Sequence, residues 1–193
     1  MKNIFYNPFE TYSEKTLLLV GTLFTIIGGC LAYIFNVKYD GVLDLHFTEQ
    51  ISYEAITYLA TDILILTFSL IIVGKYINKK TRFIDVLTAV LISRIPLYFA
   101  SFLNINNKSF IIGNKILALA TTNKMNILTA NEVGFMLFQV IIVIGTLIWS
   151  IFLLYKGYKT ATNAKETKHT LLFILAIVVA EIISKVIIHK FLQ

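Results

Sequence analysis

Residues 16–35 read TLLLVGTLFTIIGGCLAYIF, twenty residues without a formal charge. A helix rising 1.5 Å per residue covers about 30 Å over that length, the hydrocarbon thickness of a bilayer. Four further runs meet the same requirement: about Ala55–Ile77 with one acid, Asp62; about Phe83–Leu103 with Arg94 and Pro96; about Val133–Tyr155 with a single amide, Gln139; and about Thr170–Phe191 with Glu181 and Lys185. The expected fold is all-α: a polytopic integral membrane protein, a bundle of five transmembrane helices forming a single domain over residues 1–193.

Composition agrees. Of 193 residues, 57% are hydrophobic and 15% charged, against about 45–50% apolar and about 25% charged in a soluble domain. Mean hydropathy is +0.77. These values exclude a water-soluble enzyme, a nucleic-acid-binding domain and a disordered regulator. The net charge of +6 does not signal nucleic acid here, because the basic residues lie in short links between apolar runs, where they act as orientation signals. One cysteine, Cys30, permits no intrachain disulfide and no cysteine-built metal centre.

The stretch Phe110–Ala120 is apolar but too short to cross, and it is expected in the interface or beneath the bundle. Helix-start spacing appears twice before an apolar run, at Thr129 with Glu132 and at Asn163 with Glu166. Tyr33, Tyr76, Trp149, Tyr155 and Tyr158 fall near expected span ends and read as interface anchors. Ile27-Gly28-Gly29-Cys30 loosely matches a lipoprotein processing box, yet the apolar run continues beyond it. The first span is therefore expected to stay uncleaved, with Gly28, Gly29 and Cys30 permitting close helix packing.

Five spans place the termini on opposite sides. The N-terminus and the second-to-third and fourth-to-fifth links carry ten Lys and Arg residues, and the other group carries five. Cytoplasmic links accumulate Lys and Arg, so the N-terminus is expected inside and the C-terminus outside. The exported segment then holds Asp40, Asp44, His46, Glu49 and Glu54. Their spacing matches no metal-ligand motif, and they are read as a solvated face with no metal bound.

Ionisable residues at bilayer depth are candidate functional groups by default. Here they are Asp62, Arg94, Glu181 and Lys185, with formal charges that cancel. Glu181 and Lys185 stand four apart on one helix face, while Asp62 and Arg94 lie on consecutive antiparallel helices. Pro96 removes a backbone donor and is expected to kink the third helix beside Arg94. One reading makes the cluster structural, fastening three helices; the other makes it the ligand or proton site of a small transporter or channel component. No phosphate-binding loop, paired-histidine zinc motif or nucleophile elbow is present. No catalytic residue, cofactor or nucleic-acid partner is expected.

Three segments carry a family resemblance: Asn7-Pro8-Phe9-Glu10-Thr11-Tyr12 before the first span; Lys79-Lys80-Thr81-Arg82-Phe83 leading into a span that holds Ile95-Pro96; and Ile148-Trp149-Ser150 followed by Leu153-Leu154-Tyr155-Lys156-Gly157-Tyr158-Lys159. Together they resemble the Yip membrane family, whose eukaryotic members interact with Rab-type GTPases. The resemblance implies a five-helix bundle with a cytoplasmic N-terminus, acting without enzymatic activity through GTPases and one another. About 15 residues precede the first span, fewer than in those relatives, so the chain looks like the compact bacterial members and Rab binding is not carried over. The expected setting is a bacterial inner membrane. The expected partners are the bilayer itself, whose anionic headgroups the basic links can meet, and another membrane protein or a second copy of the chain.

Overall fold

The computed structural model describes residues 6–51, 54–122 and 128–192. Among them the chain forms α1 (Glu14–Ile34), α2 (Glu54–Ile77), α3 (Phe83–Ser93), α4 (Ile95–Phe99), α5 (Lys108–Thr122), α6 (Ala130–Thr162) and α7 (Thr167–Ile187). Five helical crossings are long and apolar enough to span a membrane: α1, α2, the rod that begins with α3 and α4, α6, and α7 with its continuation.

Local chemistry sets the helix ends. Ser13 caps α1, its hydroxyl accepting from the Thr16 N–H. Thr129 and Glu132 form the expected capping box, which starts α6 three residues before the expected span. That helix then continues past Tyr155 to Thr162, a total of 33 residues. The second expected start is corrected. Asn163 closes α6 in the left-handed conformation at φ 54°, which asparagine tolerates, and Glu166 is the N-cap of α7. The α-helix gives way to a π turn over Ile188–Leu192.

The third crossing is the centre of the bundle. Every residue from Thr88 to Arg94 is buried, with α1, α2 and α6 packed around it and α7 packed on α2. The rod breaks at Arg94, where α3 ends and α4 begins, since Pro96 has no N–H to return to the preceding turn. A 3₁₀ stretch, Ala100–Asn107, follows and reverses at Asn106 and Asn107, both at φ 56°. The short apolar segment is α5, which rests on that stretch and on α6 and joins α6 through Lys115 and Glu132.

Two of the expected anchors sit elsewhere. Tyr158 is 1% exposed and belongs to the core, stacked on Phe173 with ring centroids 5.0 Å apart. Trp149 lies near the midpoint of the 33-residue α6 and not at a helix end. Tyr33 and Tyr76 do project outward at helix ends. Gly28 and Gly29 serve two neighbours: a Cβ on Gly28 would stand 2.6 Å from the Tyr98 ring, and one on Gly29 would meet Ile56 at 3.5 Å. Cys30 is exposed.

These spacings predict opposite outcomes for two alanine substitutions. Gly28→Ala should lower stability by about 1–3 kcal/mol, because the buried Tyr98 ring must shift. Gly145→Ala, where nothing lies within 4 Å of a Cβ, should be neutral or gain up to about 1 kcal/mol of helix propensity. Thermal unfolding of the detergent-solubilised variants checks both.

Candidate functional site

The site is built where the α1–α2 connection folds back into the bundle. Asn36, at φ 53°, turns the chain out of α1. Val37–Lys38 then pairs antiparallel with His46–Phe47, in the register Val37 with Phe47 and Lys38 with His46. The connection is tied to the 3₁₀ stretch by asparagine amides. Asn36 donates to Asn107 Oδ1 at 2.9 Å, and Asn104 donates to the Phe35 carbonyl at 2.7 Å. Asn36 also accepts from the Ile51 N–H at 3.2 Å and the Thr48 N–H at 2.9 Å. Tyr39, 1% exposed, reaches the Ser101 hydroxyl at 3.0 Å, and burial pushes its phenol well above the ordinary tyrosine range.

Beneath this hairpin the intramembrane charges pair in two layers. In the inner layer Arg94 Nη2 donates to Asp62 Oδ2 at 3.4 Å, with side chains 2% and 0% exposed. Arg94 Nη1 donates to the Val42 carbonyl at 3.3 Å, and its guanidinium lies 5.8 Å from the Tyr39 ring centroid. Ser184 donates its hydroxyl to the other Asp62 oxygen. Arg94 Nε is buried without a partner. In the outer layer Lys185 Nζ bridges Glu181 at 3.1 Å and Asp44 at 2.7 Å, and Glu181 Oε2 accepts from the Leu43 N–H at 2.8 Å. A Cβ on Gly41 would stand 2.5 Å from Glu181 Oε1, so a side chain there would push that carboxylate aside.

The four residues singled out in the sequence thus fall into two neighbouring pairs, Asp62 with Arg94 and Glu181 with Lys185, and Pro96 stands two residues beyond the break. Sequence reasoning missed Ser184, Tyr39 and the Val42 carbonyl. Ser184 carried a usable signal, a hydroxyl one helical turn from Glu181 in an apolar run. The carbonyl carried none, because every residue has one.

At the outer rim His46 Nδ1 meets Asp40 at 2.7 Å, and Lys38 stands 3.7 Å from the same carboxylate. Asp40, Asp44 and His46 bring ligand atoms within 4.8 Å of one another. Each already has a protein partner, Asp44 with Lys185 and Asp40 with His46.

A family model for the Yip1 domain matches residues 12–188, nearly the whole chain. The chain belongs to the Yip1 domain family. It is a multi-pass membrane protein of the Yip type. Searches of curated proteins and of solved structures found no match.

The rim of this Yip1 domain titrates. The Asp40 hydrogen bond, against opposing burial, raises the His46 imidazole above its ordinary 6.5. Burial alone would raise Asp40, but His46 and Lys38 outweigh it and hold the carboxyl below 3.8. A raised imidazole contributes stability below its unfolded value and loses it as pH rises through the folded one. A depressed carboxyl contributes above its unfolded value and loses it as pH falls through the folded one. The His46–Asp40 contact should therefore be strongest between those two ordinary values. NMR titration of the His46 ring should give a midpoint above 6.5 that Asp40→Asn returns toward the ordinary range; an unchanged midpoint would contradict the pairing.

Proposed function

We propose that this Yip1 domain is a non-enzymatic scaffold or interaction partner within the bilayer, its N-terminus cytoplasmic, and that its charge cluster is structural. The observation that carries this reading is the sealed inner pair. Arg94 and Asp62 are closed off by the hairpin, Ser184 and three helices, and the formal charges balance. A transport site usually leaves a charge for its substrate to satisfy, whereas the inner pair is matched one to one from within the chain.

The outward surface supports lateral interaction. All buried residues of α6 lie between Ser150 and Thr162. Its first half presents Leu137, Ile141, Ile144 and Ile148 outward, spacings that put them on one face. In lipid, such a face associates by packing and not by the hydrophobic effect, so it suits another membrane protein or a second copy. A bacterial inner membrane and the excess of Lys and Arg at the opposite end from the hairpin fit the same orientation.

Removing one partner of a buried ion pair costs about 3–5 kcal/mol because it leaves a charge unmatched, while replacing both with apolar residues of similar volume is often close to neutral. Arg94→Ala and Asp62→Ala should each abolish or sharply reduce folded protein, and the volume-matched pair Arg94→Met with Asp62→Leu should recover most of it, read as monodisperse yield and melting temperature in detergent. Exchanging the two charges should rescue in part. Normal accumulation of both single variants would remove the structural role. Asp62→Asn that folds normally but loses a flux in reconstituted vesicles would favour the transporter reading instead.

A further inference from the structure

At the end of the bundle opposite the hairpin, the segment preceding α1 crosses α6 as a strap. Pro8–Glu10 forms one 3₁₀ turn. Phe9 enters the space that Gly157 leaves empty, where a Cβ would stand 2.7 Å from its ring. Tyr6 packs on Phe152 with centroids 4.9 Å apart, and Lys156 Nζ lies 4.9 Å from the Tyr6 ring. Two spaces flank this strap.

On the water side is a cleft of about 370 Å³ whose wall includes Asn7, Glu10, Lys156, Lys159, Asn163 and Lys165. Three ammonium groups face one carboxylate there. Among the described residues neither Lys159 nor Lys165 has a carboxylate at ion-pair distance. Asn7 is 7% exposed and its Oδ1 is buried without a hydrogen-bond partner. On the membrane side is an apolar crevice of about 460 Å³ between α1, the α3–α4 break and α6, walled by Pro8, Tyr12, Phe24, Pro96, Trp149 and Leu153.

The two spaces share no wall residue but lie on neighbouring residues of the strap and of α6: Asn7 precedes Pro8, and Leu153 lies one turn from Lys156. Along α6, Trp149 stands about 10 Å deeper than Lys156, and the crevice follows α1 for about 12 Å from Thr16 to Phe24. A basic cleft at the helix ends above an apolar channel repeats the vertical order of a phospholipid, phosphate above acyl chain. Juxtamembrane Lys and Arg attract anionic lipid. A zwitterionic headgroup would bring its own cation against the lysines.

We propose that this composite space binds one anionic phospholipid, its phosphate diester on Lys156, Lys159 and Lys165, a headgroup hydroxyl donating to Asn7 Oδ1, and one acyl chain in the crevice beneath Tyr12.

The test uses the full chain, delipidated in a neutral detergent, with phosphatidylglycerol, phosphatidylcholine or inorganic phosphate added, read by native mass spectrometry and thermal unfolding. Phosphatidylglycerol should remain bound and raise the melting temperature, and the other two should do neither. Lys159→Gln and Lys165→Gln combined should weaken phosphatidylglycerol binding at least about tenfold while leaving the unliganded melting temperature unchanged. Val20→Phe, at a partly exposed position of the crevice wall, should weaken it independently by filling the acyl space. Equal retention of phosphatidylcholine, or an unchanged preference in the lysine variant, would overturn the proposal. So would stabilisation by inorganic phosphate that is insensitive to Val20→Phe, which would assign the cleft to a soluble phosphate-bearing ligand.

Discussion

An arginine side chain cannot shed its proton inside a protein, and Arg94 lies about 16 Å along its crossing from Phe83, deep in what hydrocarbon would otherwise fill. The fold follows from meeting that charge. Asp62 supplies the anion, the Val42 carbonyl takes a second N–H, and Ser184 fixes the carboxylate from α7. Three crossings and one connection are thereby placed by a single guanidinium. The break at Arg94, with Pro96 beyond it, falls in the crossing that every one of those partners surrounds.

Irregular backbone folded into a bundle must have its polar groups met by protein. The 37–47 hairpin meets that condition through side chains on the helices. Glu181 accepts from the Leu43 N–H, Tyr39 is anchored at Ser101, and asparagines at 36, 104 and 107 take up the remaining turns. Lys185 joins Glu181 to Asp44, so the outer pair holds down the connection that covers the inner one. The dry pair sets which helices associate; the wetter pair keeps it dry.

Much of this was legible in the sequence because membrane insertion leaves few alternatives. Length and hydropathy marked the five crossings, and the scarcity of charge within them isolated Asp62, Arg94, Glu181 and Lys185. Pairing at i, i+4 followed from helix geometry alone. What was not legible depends on backbone groups and on tertiary approach. The Val42 carbonyl has no residue-type signature, and Tyr39 was one tyrosine among ten. Asn163 satisfied the spacing of a helix start yet closes the helix before it, because asparagine serves both ends. Tyr158 looked like an anchor and is core, since α6 outlasts the expected span and stays packed on α3 beyond it.

The Yip1 match runs from Tyr12 over the charge cluster and the basic links alike, so the sealed pair and the open basic end belong to one domain with two chemically distinct ends. The central claim is that the hairpin is a sealed structural cover and not a gate. Hydrogen exchange of the Leu43 amide, in protein reconstituted in nanodiscs, tests it most directly. The account predicts protection comparable to the interior of α2, because that N–H is held by Glu181; exchange at the rate of an unstructured peptide would contradict it.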